Sequence, residues 1–443
     1  MKVLKFGGTS VGTAESIQNV KNIVQNQSGK KLLVLSAMSG VTNDLVAISN
    51  LTKTQNREAA TKIIDALKER HFETIDKLIS NKAINNKTKV FVSERLNELT
   101  AASLNEYSEN LYAEIVTYGE TMLTYIVSSY FKAEGIYNSW LDAKEFMHVD
   151  SIENPDTNRI GQLFGEATQN CTAKDLFITQ GFVRLDKNNN ISTLKRGGSD
   201  YTATILGGAI GASEVQIWTD IDGFHNNDPR YVPDTYAISE LTFEEAAELA
   251  YFGAKILHPQ TVSPVIAKGI PIVLKNTFTP DAIGTKISSH ITSKGLKAIA
   301  AKDDITAIKI KSNRMLMAHG FLHKIFEVFD TFETSIDMIT TSEIAISLTI
   351  DDDRNLEQIL EALNDYGEIT VDKSQSIICI VGESLIEDQS SYHIFEILND
   401  IPVRMISYGG SSNNISLLVD TEDKITALRK LNQKLFQQIS ITA

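Results

Sequence analysis

Val3-Leu4-Lys5-Phe6-Gly7-Gly8-Thr9-Ser10 begins as an apolar strand carrying one lysine and runs straight into a glycine turn. A helix is expected to start near Thr13. Two glycines let backbone N–H groups approach an anion closely, the N-terminus of the following helix adds partial positive charge, and Lys5 adds a full one. The stretch reads as a candidate phosphate cradle. Taken alone, its plainer reading is a tight strand-to-helix turn, and the rest of the chain must decide between the two.

At 443 residues the chain exceeds one ordinary core, and two or three domains are expected. Its 42% hydrophobic and 22% charged residues are those of a soluble globular protein. A net charge of -14 argues against nucleic-acid or acidic-membrane partners, since the summed field repels polyanions. Any phosphate site must therefore be built locally. Cys171 and Cys379 lie far apart without a CxxC spacing, which predicts reduced thiols rather than a disulfide or metal site. The N-terminal residues lack an apolar signal core, and no apolar run approaches the length of a membrane span. A cytoplasmic protein is expected.

Residues 1 to about 278 alternate apolar runs with helical stretches, the pattern of an α/β layer fold. Leu32–Leu35, Leu176–Thr179, Val215–Trp218 and Ile270–Leu274 read as further strands, Asn43 to about Ala133 as mostly helical, and Phe243–Ala250 as a helix. The final third is an internal repeat. Ile325-Phe326-Glu327-Val328 recurs at Ile394-Phe395-Glu396-Ile397, and Ile346–Asp351 recurs at Ile415–Asp420, with one common offset. Each copy reads as a helix, a strand and a second helix, at Leu356–Leu363 in the first and Ile425–Leu435 in the second. Two βαββαβ-like modules are expected. The predicted domains are 1–283, 296–371 and 372–443, with strand exchange between the two modules allowed and the junction near Gly284–Gly295.

The strongest later cluster is Lys195-Arg196-Gly197-Gly198-Ser199-Asp200. Glycines let the backbone bend around a ligand, Arg196 can grip a carboxylate or phosphate with paired hydrogen bonds, and Asp200 can orient a lysine or hold a cation. A charged turn before a helix over Thr202–Ala212 is an equally good reading of those residues by themselves. Trp218-Thr219-Asp220-Ile221-Asp222-Gly223 ends a strand in polar residues, where α/β sheets place ligands, although Asp222-Gly223 and Asp228-Pro229 are ordinary turn dipeptides. Glu120 in a helical stretch, Lys255 after a helix and His258 before Pro259 each have a plain structural reading. The P-loop, the dinucleotide-binding GxGxxG and the protein-kinase signatures are all missing.

In order, Lys5-Phe6-Gly7-Gly8-Thr9-Ser10, Ser39-Gly40-Val41-Thr42-Asn43, Gly119-Glu120, Gln180-Gly181-Phe182, Arg196-Gly197-Gly198-Ser199-Asp200, Trp218-Thr219-Asp220 and Phe252-Gly253-Ala254-Lys255 resemble the aspartokinases. The likeness spans nearly the whole chain, and the repeat looks like the paired ACT modules of that family. The resemblance implies the amino-acid-kinase fold, an open and mainly parallel sheet with helices on both faces. It implies transfer of the ATP γ-phosphoryl group to the side-chain carboxylate of L-aspartate, with magnesium. It assigns Lys5, Gly7 and Gly8 to the transferring phosphate and Asp200 to organising Lys5. Thr42, Glu120, Arg196, Gly197, Gly198 and Ser199 would bind aspartate, Arg196 at the α-carboxylate and Glu120 near the ammonium. Phe6, Thr219, Asp220, Arg230, Lys255 and Ile256 would line the ATP site, together with His225, where similar enzymes carry a tyrosine.

A carboxylate acceptor is already nucleophilic at neutral pH, so no catalytic histidine is needed. Glutamate and acetylglutamate kinases share the fold; Glu120 and Arg196 suit a zwitterionic amino acid better than an acylated one. A regulatory amino-acid-binding protein with a decayed kinase half is the reading from another class, opposed by intact Lys5, Asp200 and Glu120. Met315, His319, Gly320, Leu322, Asp337, Thr341, Ser342 and Glu343 match an effector site of lysine-sensitive aspartokinases, which implies a homodimer inhibited by lysine, or alternatively by threonine. Asp337 and Glu343 are expected to face the effector's amino groups. Ala318 stands where similar enzymes have a serine.

Overall fold

The computed structural model describes residues 1–195, 197–253, 259–292, 295–312, 319–385 and 393–436. Two compact units divide it: Met1–Phe224 with Ser239–Phe243 and Leu257–His290, and His225–Ile238 with Glu244–Ile256 and Ile291–Ala443. Among the described residues no helix is long and apolar enough to cross a membrane.

The first unit is built on an eight-stranded sheet. Its strands are β1 (Lys2–Phe6), β2 (Lys31–Leu35), β3 (Ser139–Trp140), β4 (Leu176–Gln180), β7 (Glu214–Thr219), β8 (Glu240–Thr242), β9 (Ile272–Asn276) and β10 (Thr285–Ser288), with β5 (Val183–Leu185) and β6 (Ile191–Thr193) forming a separate hairpin. The order is β3-β4-β2-β1-β7-β9-β10-β8, parallel except where β9 meets β10. Near-continuous apolar runs such as Leu32-Leu33-Val34-Leu35 suit strands covered on both faces. The helices are α1 (Ala14–Asn26), α2 (Val41–Lys53), α3 (Arg57–Leu78), α4 (Lys82–Ala102), α5 (Glu109–Ala133), α6 (Thr157–Gln169), α7 (Gly198–Ala209) and α9 (Ser263–Ile266). Thr13 caps α1 in a reciprocal box with Ser16, so the helix starts where the sequence placed it. The long helical stretch resolves into four helices, each of the last three begun by an Asn or Ser cap. The helix expected from Thr202 begins four residues earlier, because Gly197 takes a left-handed conformation (φ 66°) and turns the chain at once.

In the second unit one antiparallel sheet runs β12-β13-β11-β14-β16-β15, from β11 (Gly295–Lys311), β12 (Ile339–Thr341), β13 (Ala345–Ile350), β14 (Glu368–Glu383), β15 (Met405–Tyr408) and β16 (Asn414–Asp420). Its helices are α8 (Phe243–Tyr251), α10 (Phe321–Thr331), α11 (Leu356–Leu363), α12 (His393–Ile397) and α13 (Lys424–Leu435). β11 and β14 are long enough to serve both repeats. Ile308 and Ile310 join one core with α10 and α11, whereas Ile299, Ile378 and Ile380 join another with α13. The two cores therefore split the chain inside β11 and β14, and the start of the expected 296–371 module packs with the later repeat. The register irregularity between Lys302 and Ala307 marks the crossover. The segment 225–238 also departs from the expected 1–283 domain, since Val232 sits in the second core and Ile299 N–H donates to Asn226 O at 2.8 Å.

Candidate active site

Parallel strands leave polar loops at their C-terminal ends, and the first unit gathers its unusual residues there. Lys5, near the end of β1, places Nζ 2.6 Å from Oδ1 of Asp200 in the first turn of α7, with side-chain exposures of only 10% and 15%. Both charges are held out of water, where their field is strong and their positions fixed. Gly7 lies directly against this pair: a Cβ there would sit 3.3 Å from Lys5 Nζ, so any side chain would crowd the ammonium. One expected role changes. The Gly7 N–H, read as a phosphate donor, donates to Trp218 O at 3.2 Å, so Gly7 contributes space.

Phe6, expected at the nucleotide, has its ring wholly buried and stacked on Trp218 at 5.8 Å, so any part in ligand binding falls to its backbone. Beside β1, the turn after β2 approaches α5 closely. A Cβ on Gly119 would lie 2.8 Å from Ala37 Cβ, a separation only glycine permits. That approach delivers Glu120 to the Ala37 backbone N–H. Glu120 is 3% exposed and its Oε2 has no hydrogen-bond partner among the described residues. Burial pushes its carboxyl up to about 8, against the smaller opposing effect of backbone hydrogen bonds. A buried, half-satisfied carboxyl is costly to a fold, and a ligand ammonium would complete it.

Thr42 follows the first residue of α2 and is half-buried, and Ser199 lies beside Gly181, where a Cβ on the glycine would come 2.6 Å from Ser199 Cβ. Gly198 is buried and Gly197 exposed at the start of α7. The Gly8 backbone abuts the same β2 turn, 3.2 Å from Ala37 O measured at its would-be Cβ. Thr219 ends β7 and its hydroxyl donates to exposed Asp220 at 3.0 Å. Arg196, Lys255, Ile256, His258, Met315 and Ala318 lie outside the described residues. Sequence reasoning missed Arg70 of α3, whose Nη2 donates to Ser39 O at 2.7 Å and Gly12 O at 3.4 Å, tying the turn after β1 to the turn after β2. An arginine in an amphipathic helix carries no local signal for that role.

His225 and Arg230 belong to the second unit. His225 Nδ1 meets Thr235 Oγ1 at 3.0 Å. Arg230 is held by Asp228 through Nε–Oδ1 at 3.0 Å and Nη2–Oδ2 at 2.6 Å. The Asp228-Pro229 turn therefore does more than reverse the chain.

Of the expected effector residues, Leu322, Thr341, Ser342, Glu343 and His319 are exposed, and Gly320 caps α10 with φ 77°. Asp337 differs from expectation. Its carboxylate, expected to face an effector's amino groups, is buried and already held by Lys302 at 2.9 Å and by the Tyr251 hydroxyl.

Two family models match this chain: the amino acid kinase family over residues 1–276 and the ACT domain over residues 378–435. Lysine-sensitive aspartokinase 3 of Escherichia coli is 32% identical, covering 98% of this chain and 99% of that protein. Aspartokinase 1 of Arabidopsis thaliana is 32% identical over 98% of this chain and 80% of its own length. Crystal structures of E. coli aspartokinase III, one with lysine and aspartate and one with aspartate and ADP, each superpose with a TM-score of 0.82 at 31% identity. Both cover 98% of this chain, with 99% and 100% of theirs covered in turn.

Proposed function

Since the chain belongs to the aspartokinases of the amino acid kinase family, we infer how its own residues carry out the reaction of that family. The protein is an aspartate kinase: it phosphorylates the side-chain carboxylate of L-aspartate with ATP, giving 4-phospho-L-aspartate, the first step toward lysine, threonine and methionine, under amino-acid feedback. A carboxylate oxygen of aspartate attacks the γ-phosphorus while the bond to the ADP oxygen breaks. Little covalent chemistry is asked of the protein; it positions the reactants and offsets the spreading charge.

Lys5 is the cation for that charge, and Asp200 fixes its direction. Glu120 receives the substrate ammonium and ionises as it does so. Thr42, Gly197, Gly198 and Ser199 flank the substrate, with Arg196 on its α-carboxylate. Thr219, Asp220, Lys255, Ile256, Arg230 and His225 are assigned to the nucleotide, as the family resemblance implies. No group of three or more His, Cys, Asp or Glu that could hold a metal occurs among the described residues. Magnesium would be carried on the ATP phosphates, the usual way this ion is held. L-Lysine is the proposed effector in a homodimer, with Asp337, His319, Leu322, Thr341, Ser342 and Glu343 assigned to it.

The observation that carries the substrate assignment is Glu120, a buried carboxyl with one oxygen unpartnered, packed on the same turn as Gly8. The test is turnover of ATP with aspartate, trapping the acyl phosphate with hydroxylamine. Aspartyl hydroxamate is expected; none with aspartate, alongside turnover of glutamate or acetylglutamate, would overturn the assignment.

A further inference from the structure

Three asparagines form a nearly dry cluster in the second unit: Asn226, Asn227 and Asn432 are 0%, 2% and 3% exposed. Asn432, in the last turns of α13, presents Oδ1 to the side-chain amides of both Asn226 and Asn227, each at 3.3 Å. Buried amides are kept only where their hydrogen bonds are met, and one acceptor serving two donors ties their positions together. Asn226 in turn closes the segment on itself: its N–H donates to Tyr236 O at 3.1 Å, and its Oδ1 accepts from Tyr236 N–H at 2.9 Å. Asn227 Oδ1 accepts from the Asp228 N–H at 2.9 Å, and Asp228 grips the Arg230 guanidinium. A continuous chain of contacts thus runs from α13 to Arg230. A second tether, Arg429 Nε to Tyr231 O at 3.0 Å, joins the same helix to the same segment.

We propose that Asn432 is a positioning residue for ATP: through Asn226 and Asn227 it sets the segment 225–238, and with it Arg230. The proposal rests on the reading of Arg230 and His225 as nucleotide contacts. Asn432 itself touches no ligand. Its amide oxygen is the acceptor on which the side-chain amides of Asn226 and Asn227 converge, and Asn227 Nδ2 also reaches Leu428 O of the same helix at 3.4 Å.

The test uses the full-length enzyme with Asn432→Leu, Arg429→Ala and Arg230→Ala. Asn432→Leu should raise the KM for ATP roughly fivefold or more, the scale of one lost buried hydrogen bond. The KM for aspartate should stay unchanged, and amide hydrogen exchange in peptides covering 225–238 should quicken. A purely structural role would move both KM values together or neither. If Arg230→Ala raises the KM for ATP while Asn432→Leu leaves it and the exchange unchanged, the positioning role is wrong. If Asn432→Leu quickens exchange but neither it nor Arg230→Ala affects ATP, the nucleotide assignment of the segment fails, and the proposal with it. Should Asn432→Leu not fold, exposed Arg429→Ala decides: a rise in the KM for ATP alone, about two- to threefold, supports the tether, and no change overturns it.

Discussion

Lys302 Nζ lies 2.9 Å from Asp337 Oδ1 and 2.7 Å from Asp351 Oδ2, with the Tyr251 ring 4.1 Å away, so the acid read as an effector contact already holds an ammonium of its own chain. Burial raises the Asp337 carboxyl, and the Tyr251 hydroxyl and Lys302 work against that rise. A free lysine that used Asp337 would have to replace an internal lysine of the same chemistry. Lys302→Gln should therefore lower the lysine concentration for half-inhibition, by about fivefold if the displaced contact is worth about 1 kcal/mol. Asp337→Ala should abolish inhibition. Inhibition curves on the three proteins check this; a Lys302→Gln curve that shifts to higher lysine would mean Lys302 builds the site.

Lys5→Met should lower kcat far more than it raises the KM for aspartate, since its charge matters most as phosphoryl charge spreads. The expected loss is on the order of 10²–10³. Asp200→Asn should follow it with a smaller loss, because the ammonium remains and only its direction is freed. Steady-state kinetics decides, and a near-normal kcat for Lys5→Met would reduce the pair to a structural contact.

With its carboxyl pushed up to about 8, Glu120 is mostly neutral at pH 7 in the absence of substrate. If the substrate ammonium needs the carboxylate, binding releases a proton. The KM for aspartate should then fall about tenfold per pH unit up to about pH 8 and level off above it. Glu120→Gln should weaken aspartate and flatten that profile, with ATP little affected. An unchanged slope in the variant would assign the pH dependence elsewhere.

His71 in α3 is fully buried, its Nδ1 2.7 Å from Leu67 O, and burial lowers its pKa to about 4. The folded state favours the neutral ring. Its contribution to stability is complete above the unfolded value near 6.5 and is lost as pH falls from there toward 4, by up to about 3 kcal/mol. Glu120 has the opposite sign, its burial costing stability as pH rises from 4.5 toward 8. Urea unfolding from pH 4 to 8 should show the acid-side loss disappear in His71→Leu and the alkaline-side loss disappear in Glu120→Gln.

Local patterns were enough to place β1, β2, β4, β7, the start of α1 at Thr13, and α8, because strand and helix periodicity and a capping threonine act over a few residues. The repeat was legible because two matches share one register, and the motifs around Lys5, Glu120 and Asp200 singled out by residue type the groups that the structure shows as a buried ion pair and a buried carboxyl. What only the tertiary structure decided is which groups meet. Parallel pairing of β1 with β2 and β7, and the packing of α7 on β1, bring Asp200 to Lys5 across most of the first unit. The division of β11 and β14 between two cores, the place of 225–238 beside α13, and the capture of Asp337 by Lys302 carry no local signature either. Side-chain partners far apart in sequence are chosen by the packing of whole elements, and that choice depends on the sum of many weak contacts that no short stretch of sequence contains.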